Sequence, residues 1–287
     1  MENWLFPENY TYSSAWSTSS LISNPNILNV EISLTDLGAR RVDRRRPPCE
    51  VVPAPNISCP KPQKAWRAVY PEGSINPSGA IPGGFGYYLG GPKDFQEKLR
   101  TASEAIFGYS VLFQEEWEWV KGGKLPGAYG GVGTSAYSCT GGRKEGRDTC
   151  FNLRLMWRRD GLGELYAYLP VTEENTSQLL AVPPKSIRNP DYGISAGRGA
   201  FTFKAGVWTT ITERVKLNDV GNCNGEIEVQ INGEPVIHVT GLVIRLSEDS
   251  VIQGLHFESF FGGHTADWAS PKNQYAWFAD ISGAVIV

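Results

Sequence analysis

Long apolar runs are missing from this chain of 287 residues. A membrane-spanning helix needs about 20 consecutive apolar residues, so no membrane partner is expected. An excess of charge of one sign is missing too. The net charge is -3, so the whole-protein field draws in neither nucleic acid nor a membrane surface. An anionic ligand must be met by a local cluster of cations. Histidine is scarce: His238, His256 and His264 are the three, and none stands at metal-ligand spacing from another. The five cysteines contain no CxxC pair, which argues against zinc. Neither a metal nor a cofactor is expected. Helical periodicity is nearly absent, Phe95–Ala105 being the one fair candidate, and no repeat of fixed period is visible.

What is present suits a β protein. Gly 32 and Pro 19 imply many turns, and Trp 9, Tyr 12 and Phe 12 suit strand cores or sugar-binding faces. A chain this long buries a sizeable core without metal or dense disulfides. Phe151, Leu153, Leu155 and Trp157 alternate with Asn152, Arg154 and Met156. Leu165, Ala167 and Leu169 alternate with Glu164, Tyr166 and Tyr168. The connector Arg158–Gly163 reads as a hairpin turn. Ile227, Val229 and Ile231 alternate before the turn signal Asn232-Gly233. Further strands are read over 110–120, 235–243, 251–261 and 275–287. The expected fold class is all-β, a jelly-roll sandwich of two antiparallel sheets with few short helices. Residues 1–60 are polar and irregular, and residues 70–95 form a Gly/Pro-rich loop region. Residues 1–100 are therefore expected as an irregular N-terminal extension packed on a core of residues 101–287, the whole being one structural unit. The run Arg44-Arg45-Arg46 reads as solvated surface.

Cys49/Cys59 and Cys139/Cys150 are spaced to close short disulfide loops, leaving Cys223 over. Sequons stand at Asn9, Asn56 and Asn175. Together they predict a secreted glycoprotein, expected as a monomer. The stretch Met1-Glu2-Asn3-Trp4 has neither a basic n-region nor an apolar h-region, so this expectation rests on the cysteines and sequons alone.

Residues two apart on a strand share a face. A hairpin of the two alternating strands brings Asn152, Arg154, Tyr166 and Tyr168 onto one surface. A guanidinium without an acidic neighbour suits a carboxylate, held in bidentate fashion. Eliminating across a uronate removes the weakly acidic C5 proton and builds charge on the carboxylate. Arg and Asn donors aimed there stabilise the enolate-like state more than the ground state. Tyrosine serves as base or acid if a nearby cation lowers its ordinary value of about 10. Lys124, in Gly122-Gly123-Lys124-Leu125-Pro126-Gly127, looks like a strand end running into a turn and is the candidate cation. A loop lysine is more often merely solvated, a sheet-face tyrosine is as often packing, and a strand arginine is often one half of an ion pair. His238 and His256 read as structural, while His264 follows a glycine-rich loop that approaches substrate.

Several ordered stretches resemble polysaccharide lyase family 14. They are GGKLPG (122–127), the small-residue stretch through Cys139-Thr140-Gly141-Gly142, CFNLRLMWR (150–158), GELYAYLP (163–170), GRGAFTFKAGVW (197–208) and FFGGHTADWASP (260–271). The resemblance runs from about residue 110 onward. It implies a β-jelly roll, a metal-free elimination and an acidic polysaccharide substrate, either β-1,4-glucuronan or mannuronate-rich alginate cut endolytically. It also implies that Lys124, Arg154, Tyr166 and Tyr168 are catalytic or substrate-binding; Asn152 is kept as a donor to the substrate carboxylate, and the loop position of His264 makes it a candidate substrate-binding residue. Family members can carry serine where Asn152 stands, and the histidine some place shortly before that strand is missing from 145–149. Two rivals remain. Glu115, Glu116 and Glu118 in QEEWEW would put Glu116 and Glu118 on one strand face, as retaining glycoside hydrolases require. A non-catalytic carbohydrate-binding module would need aromatics alone.

Overall fold

The computed structural model describes residues 1–56, 61–143, 145–189, 191 and 193–287. In chain order the strands are β1 (Tyr12–Ser17), β2 (Leu28–Asn29), β3 (Ala39–Arg40), β4 (Glu50–Pro53), β5 (Lys64–Tyr70), β6 (Phe85–Leu89), β7 (Glu104–Phe113), β8 (Gly122–Val132), β9 (Cys150–Arg158), β10 (Leu162–Tyr168), β11 (Ile187–Arg188), β12 (Ile194–Thr202), β13 (Thr209–Lys216), β14 (Gly225–Ile231), β15 (Glu234–Leu242), β16 (Ser250–Phe261) and β17 (Gln274–Ile286). Among the described residues three short α-helices accompany them: α1 (Glu2–Leu5), α2 (Lys93–Leu99) and α3 (Glu173–Leu180). One sheet runs β15-β14-β13-β7-β17-β1-β2, with β5 paired to β17 and β4 to β5; the other runs β11-β12-β10-β9-β8-β16-β6-β3. This is the expected two-sheet sandwich.

The alternation read from the sequence is what sorts the two faces. Phe151, Leu153, Leu155, Trp157, Leu165 and Ala167 point into the core between the sheets. Phe257 of β16 shows how that core is closed. Its ring stacks on Phe85 and Tyr87 and meets Trp66, Tyr109 and Phe278 of the opposite sheet, with centroids 5.3–5.8 Å apart. Emptying such a site costs roughly 3–5 kcal/mol, so residues of this kind hold the sandwich together. The β14–β15 hairpin turns where expected, with Asn232 at φ 52° and Gly233 at φ 82°, both in the left-handed region that the turn demands.

Several expectations need correction. The first hundred residues are not an irregular layer. They supply β1, beside β17 with Tyr12 opposite Ile286, and β6, beside β16 with His256 opposite Tyr88. Their strands are short, which hides their alternation in the sequence. The strand read over 110–120 stops at Phe113, and residues 114–121 turn. Glu116 sits there at φ 58°, while Glu118 pairs with Lys272 at 3.1 Å. The paired-carboxylate strand face of a hydrolase is therefore not formed.

Cys139–Cys150 is a disulfide; Cys49 is free and accepts a bond from the Tyr87 hydroxyl, and Cys59 lies outside the described residues. Asn9 and Asn56 are exposed. The Asn175 sequon is closed to modification in this fold, because its buried amide donates to Pro170 O and Val243 O and accepts from Val243 N. It lies in the first turn of α3, a helix the sequence does not signal, which Thr172 caps.

Candidate active site

The outer face of the second sheet carries the candidate residues, and strand register decides who meets whom. In β9 and β10, Arg154 lies opposite Tyr166 and Asn152 opposite Tyr168. This is the adjacency that the alternation implies. On the other side of β9, β8 puts Lys124 opposite Met156 and Gly127 opposite Arg154. Lys124 is the third residue of an eleven-residue strand and not at a strand end.

The Lys124 ammonium nitrogen stands 3.2 Å from the Tyr166 ring centroid and 5.8 Å from that of Tyr168, and it bonds Met156 Sδ at 3.0 Å. Lys124 is 8 % exposed and Arg154 1 %. Burial, reinforced by the charges of Arg154 and Arg158, pushes the Lys124 amine well below its ordinary value, against the pull of Glu164 and Glu258.

β16 adds residues that no local pattern in the sequence singles out. It pairs with β8 and β6 through long-range contacts, and its outward residues are His256, Glu258 and Phe260. Arg154 is therefore not without an acidic partner: its Nη1 bonds Glu258. Its Nη2 donates to Thr140 Oγ1 at 3.2 Å, and its Nε has no partner among the described residues. Glu258 also takes Arg46 and, at 3.2 Å, His256 Nε2. Burial alone would raise the Glu258 carboxyl, but His256, Arg154 and Arg46 together hold it below the usual range.

His256, expected to be merely structural, belongs to the cluster. It lies between Glu258 and Asn152, whose Nδ2 is 2.9 Å from His256 Nδ1, and it stacks on Tyr88 at 4.1 Å. Burial first, then the Arg154 charge, lowers its imidazole to about 4, so it is neutral near pH 7. With an ionised Glu258 able only to accept, Nε2 carries the hydrogen and Nδ1 accepts from the Asn152 amide.

Arg46, expected in solvent, is buried instead, bonding Phe85 O at 2.7 Å and Ser259 O at 3.2 Å besides Glu258. At the opposite flank, Glu164 is buried and holds Arg158, Arg198 (2.7 Å) and Ser195 (2.6 Å). Among the described residues of this cluster the guanidiniums of Arg46, Arg154, Arg158 and Arg198 thus outnumber the carboxylates of Glu164 and Glu258.

Tyr166 departs from expectation in its chemistry. Burial, with the neighbouring Tyr168 phenol, raises Tyr166 rather than lowering it, despite Arg158 and a bond from Gly193. Desolvation outweighs the field of the cations. The Gly193 N–H donates to the Tyr166 hydroxyl at 3.3 Å; the phenol keeps its own proton to give.

Over this face lie residues 133–143 and 145–149, tied down by the disulfide. Cys139 packs with Met156, Tyr166 and Tyr168, and Arg147 lies 4.4 Å above the Tyr168 ring. His264 stands apart: exposed in the loop after β16, it forms no hydrogen bond to the cluster among the described residues.

Comparisons with known proteins bear on the fold and the family. A marine alginate lyase of family 14 from Aplysia kurodai superposes with a TM-score of 0.73 at 29% identity, covering 96% of this chain and 99% of that one. The alginate lyase vAL-1 from Chlorella virus gives 0.69 at 21%, covering 89% and 98%. The endo-β-1,4-glucuronan lyase of the fungus Trichoderma reesei gives 0.51 at 14%, covering 96% of each. The last two attest to the fold alone. Among curated proteins none matches the chain. The family model for polysaccharide lyase 14 matches residues 60–281, a span that holds every strand of the second sheet except β3. The chain belongs to polysaccharide lyase family 14 and is a polysaccharide lyase.

Proposed function

We propose that the enzyme cleaves a polyuronate, β-1,4-glucuronan or mannuronate-rich alginate, endolytically by β-elimination, leaving 4,5-unsaturated ends. The observation that carries this reading is the gathering of Lys124, Arg154, Tyr166 and the Asn152–His256–Glu258 chain on one face. Arg154, through donors that Glu258 and Thr140 leave over, receives the sugar carboxylate and stabilises the charge that grows there. Asn152 donates to His256, and its buried Oδ1 has no partner among the described residues; it accepts from a sugar hydroxyl. The desolvated Lys124 amine takes the C5 proton, a role its lowered basicity favours over a phenol that burial keeps protonated. Tyr166 gives its proton to the departing O4, and Tyr168 flanks the sugar. The base is thus Lys124 and not a tyrosine.

Extracellular action is supported by the Cys139–Cys150 disulfide. No helix among the described residues is long and apolar enough to cross a membrane. The alginate lyase from Aplysia kurodai to which the chain is similar supports alginate of the two substrates named.

Glucuronan, alginate and a neutral β-glucan, each incubated with the enzyme, give the test. The ultraviolet band of an unsaturated uronate should grow with one or both polyuronates, together with a ladder of oligomers. Reducing ends without that band, or turnover of the neutral glucan alone, would refute elimination on a uronate.

A further inference from the structure

On a regular strand, residues an odd number apart face opposite ways. β8 breaks this rule twice. Lys124 and Tyr129, five apart, both face outward: one lies against Tyr166, the other against Tyr88. Leu125 and Ala128, three apart, both face the core. The cause is one extra residue. From Lys124 to Gly127, β8 advances three positions while β9 advances two, from Met156 to Arg154. Without this bulge, Lys124 and Tyr129 could not serve the same face.

A bulge frees backbone groups from the ladder, and buried ones must find partners. Here the partners come from the opposite sheet. The Tyr109 hydroxyl of β7 donates to Pro126 O at 3.1 Å, and Glu213 of β13 accepts from Ala128 N at 2.8 Å. Between these two anchored residues, Gly127 packs so closely on β9 that a Cβ would stand 2.2 Å from Leu153 O. Glu213 is an odd choice for a sandwich core. It is fully buried, its Oε1 lacks a partner among the described residues, and burial raises its carboxyl to about 8 against the Ala128 bond. An apolar residue would spare that desolvation.

We propose that Glu213 and Tyr109 are positioning residues, reaching through the core to hold the β8 bulge and so keep Lys124 on the catalytic face. The inference rests on the reading of Lys124 above. Neither residue touches substrate, and both act through the backbone.

The test compares Glu213→Leu, Glu213→Gln and Tyr109→Phe in the full chain, reading kcat, KM, melting temperature and hydrogen exchange across β8. Glu213→Leu should lower kcat by roughly tenfold or more with little change in KM, since small misplacements of a reacting group are costly. Exchange should rise over residues 124–129. Glu213→Gln, whose amide oxygen still accepts from Ala128, should recover most of the rate, and Tyr109→Phe should reproduce the loss in part. Unchanged exchange in Glu213→Leu overturns the clamp. Raised exchange with unchanged kcat overturns the positioning of Lys124. Equal losses in the Gln and Leu variants, tracking melting temperature, reduce Glu213 to a stability residue and also overturn the proposal. If a Lys124 variant proves fully active, the reading of Lys124 fails instead, and the exchange data still decide the clamp.

Discussion

Arg154→Ala will lower turnover of the polyuronate by roughly 10²–10³, the loss that follows removal of one well-placed donor to a developing oxyanion. The side chain is buried at the centre of the cluster, between Tyr166 and Gly127 in register and against Glu258. Its absence removes the guanidinium that meets the sugar carboxylate as charge arrives there. A buried carboxylate stripped of its partner ordinarily costs about 3–5 kcal/mol. Glu258 keeps Arg46 and His256, so the variant should fold, with a melting temperature reduced by less than that penalty implies. Arg154→Lys keeps a charge but loses the planar fork, and it should recover only part of the rate. Initial rates and melts on the same samples check both statements. Substantial turnover in a folded Arg154→Ala protein would remove Arg154 from the mechanism.

Lys124→Met should inactivate the enzyme and stabilise its fold. A lost general base lowers the rate by about 10²–10⁴. The stabilisation follows from linkage. Burial holds the native Lys124 amine well below its ordinary value, while the unfolded chain titrates near 10.4. Between those two values the unfolded state binds more protons, so the wild-type fold gains stability as pH rises through that window and loses it as pH falls. Methionine fills a similar space among Met156 and the tyrosine rings without that linkage. Near neutral pH the variant should melt about 2–4 °C higher, the shift that ~1 kcal/mol brings in a chain of this size. Its advantage should shrink toward alkaline pH. Calorimetry across pH, beside the rate assay, checks the pair of effects. A Lys124→Met enzyme that still turns over would return the base to another group.

Much of the fold is legible in the sequence because β9 and β10 alternate cleanly and adjoin along the chain. A short hairpin leaves little freedom of register, so the alternation alone places Asn152, Arg154, Tyr166 and Tyr168 together. The sequence resemblance to family 14 adds Lys124 to that expected set. What is not legible comes from long-range pairing. His256 and Glu258 join the cluster because β16 docks on β8 and β6, more than a hundred residues away in sequence, and nothing local announces such a docking. Arg46 looks like one of three solvated arginines, since its partners other than Asp43 lie 39 to 213 residues further on. The β8 bulge leaves no mark beyond a proline between a leucine and a glycine. The run Gln114–Val120 misleads for the opposite reason: its aromatic residues suit a strand, but Trp117 packs on Phe113 and Phe261 from a turn.

The Arg46 bond to Glu258 has a practical bearing on how small this catalyst can be made. The family pattern opens at residue 60, whereas Arg46, β1 beside β17 and β4 beside β5 lie before it. A fragment trimmed to the pattern would retain the lysine, the arginine and both phenols of the chemistry. It would still leave a carboxylate at their centre with one guanidinium fewer. The minimal enzyme is set by what neutralises Glu258 rather than by where the recognisable motif starts.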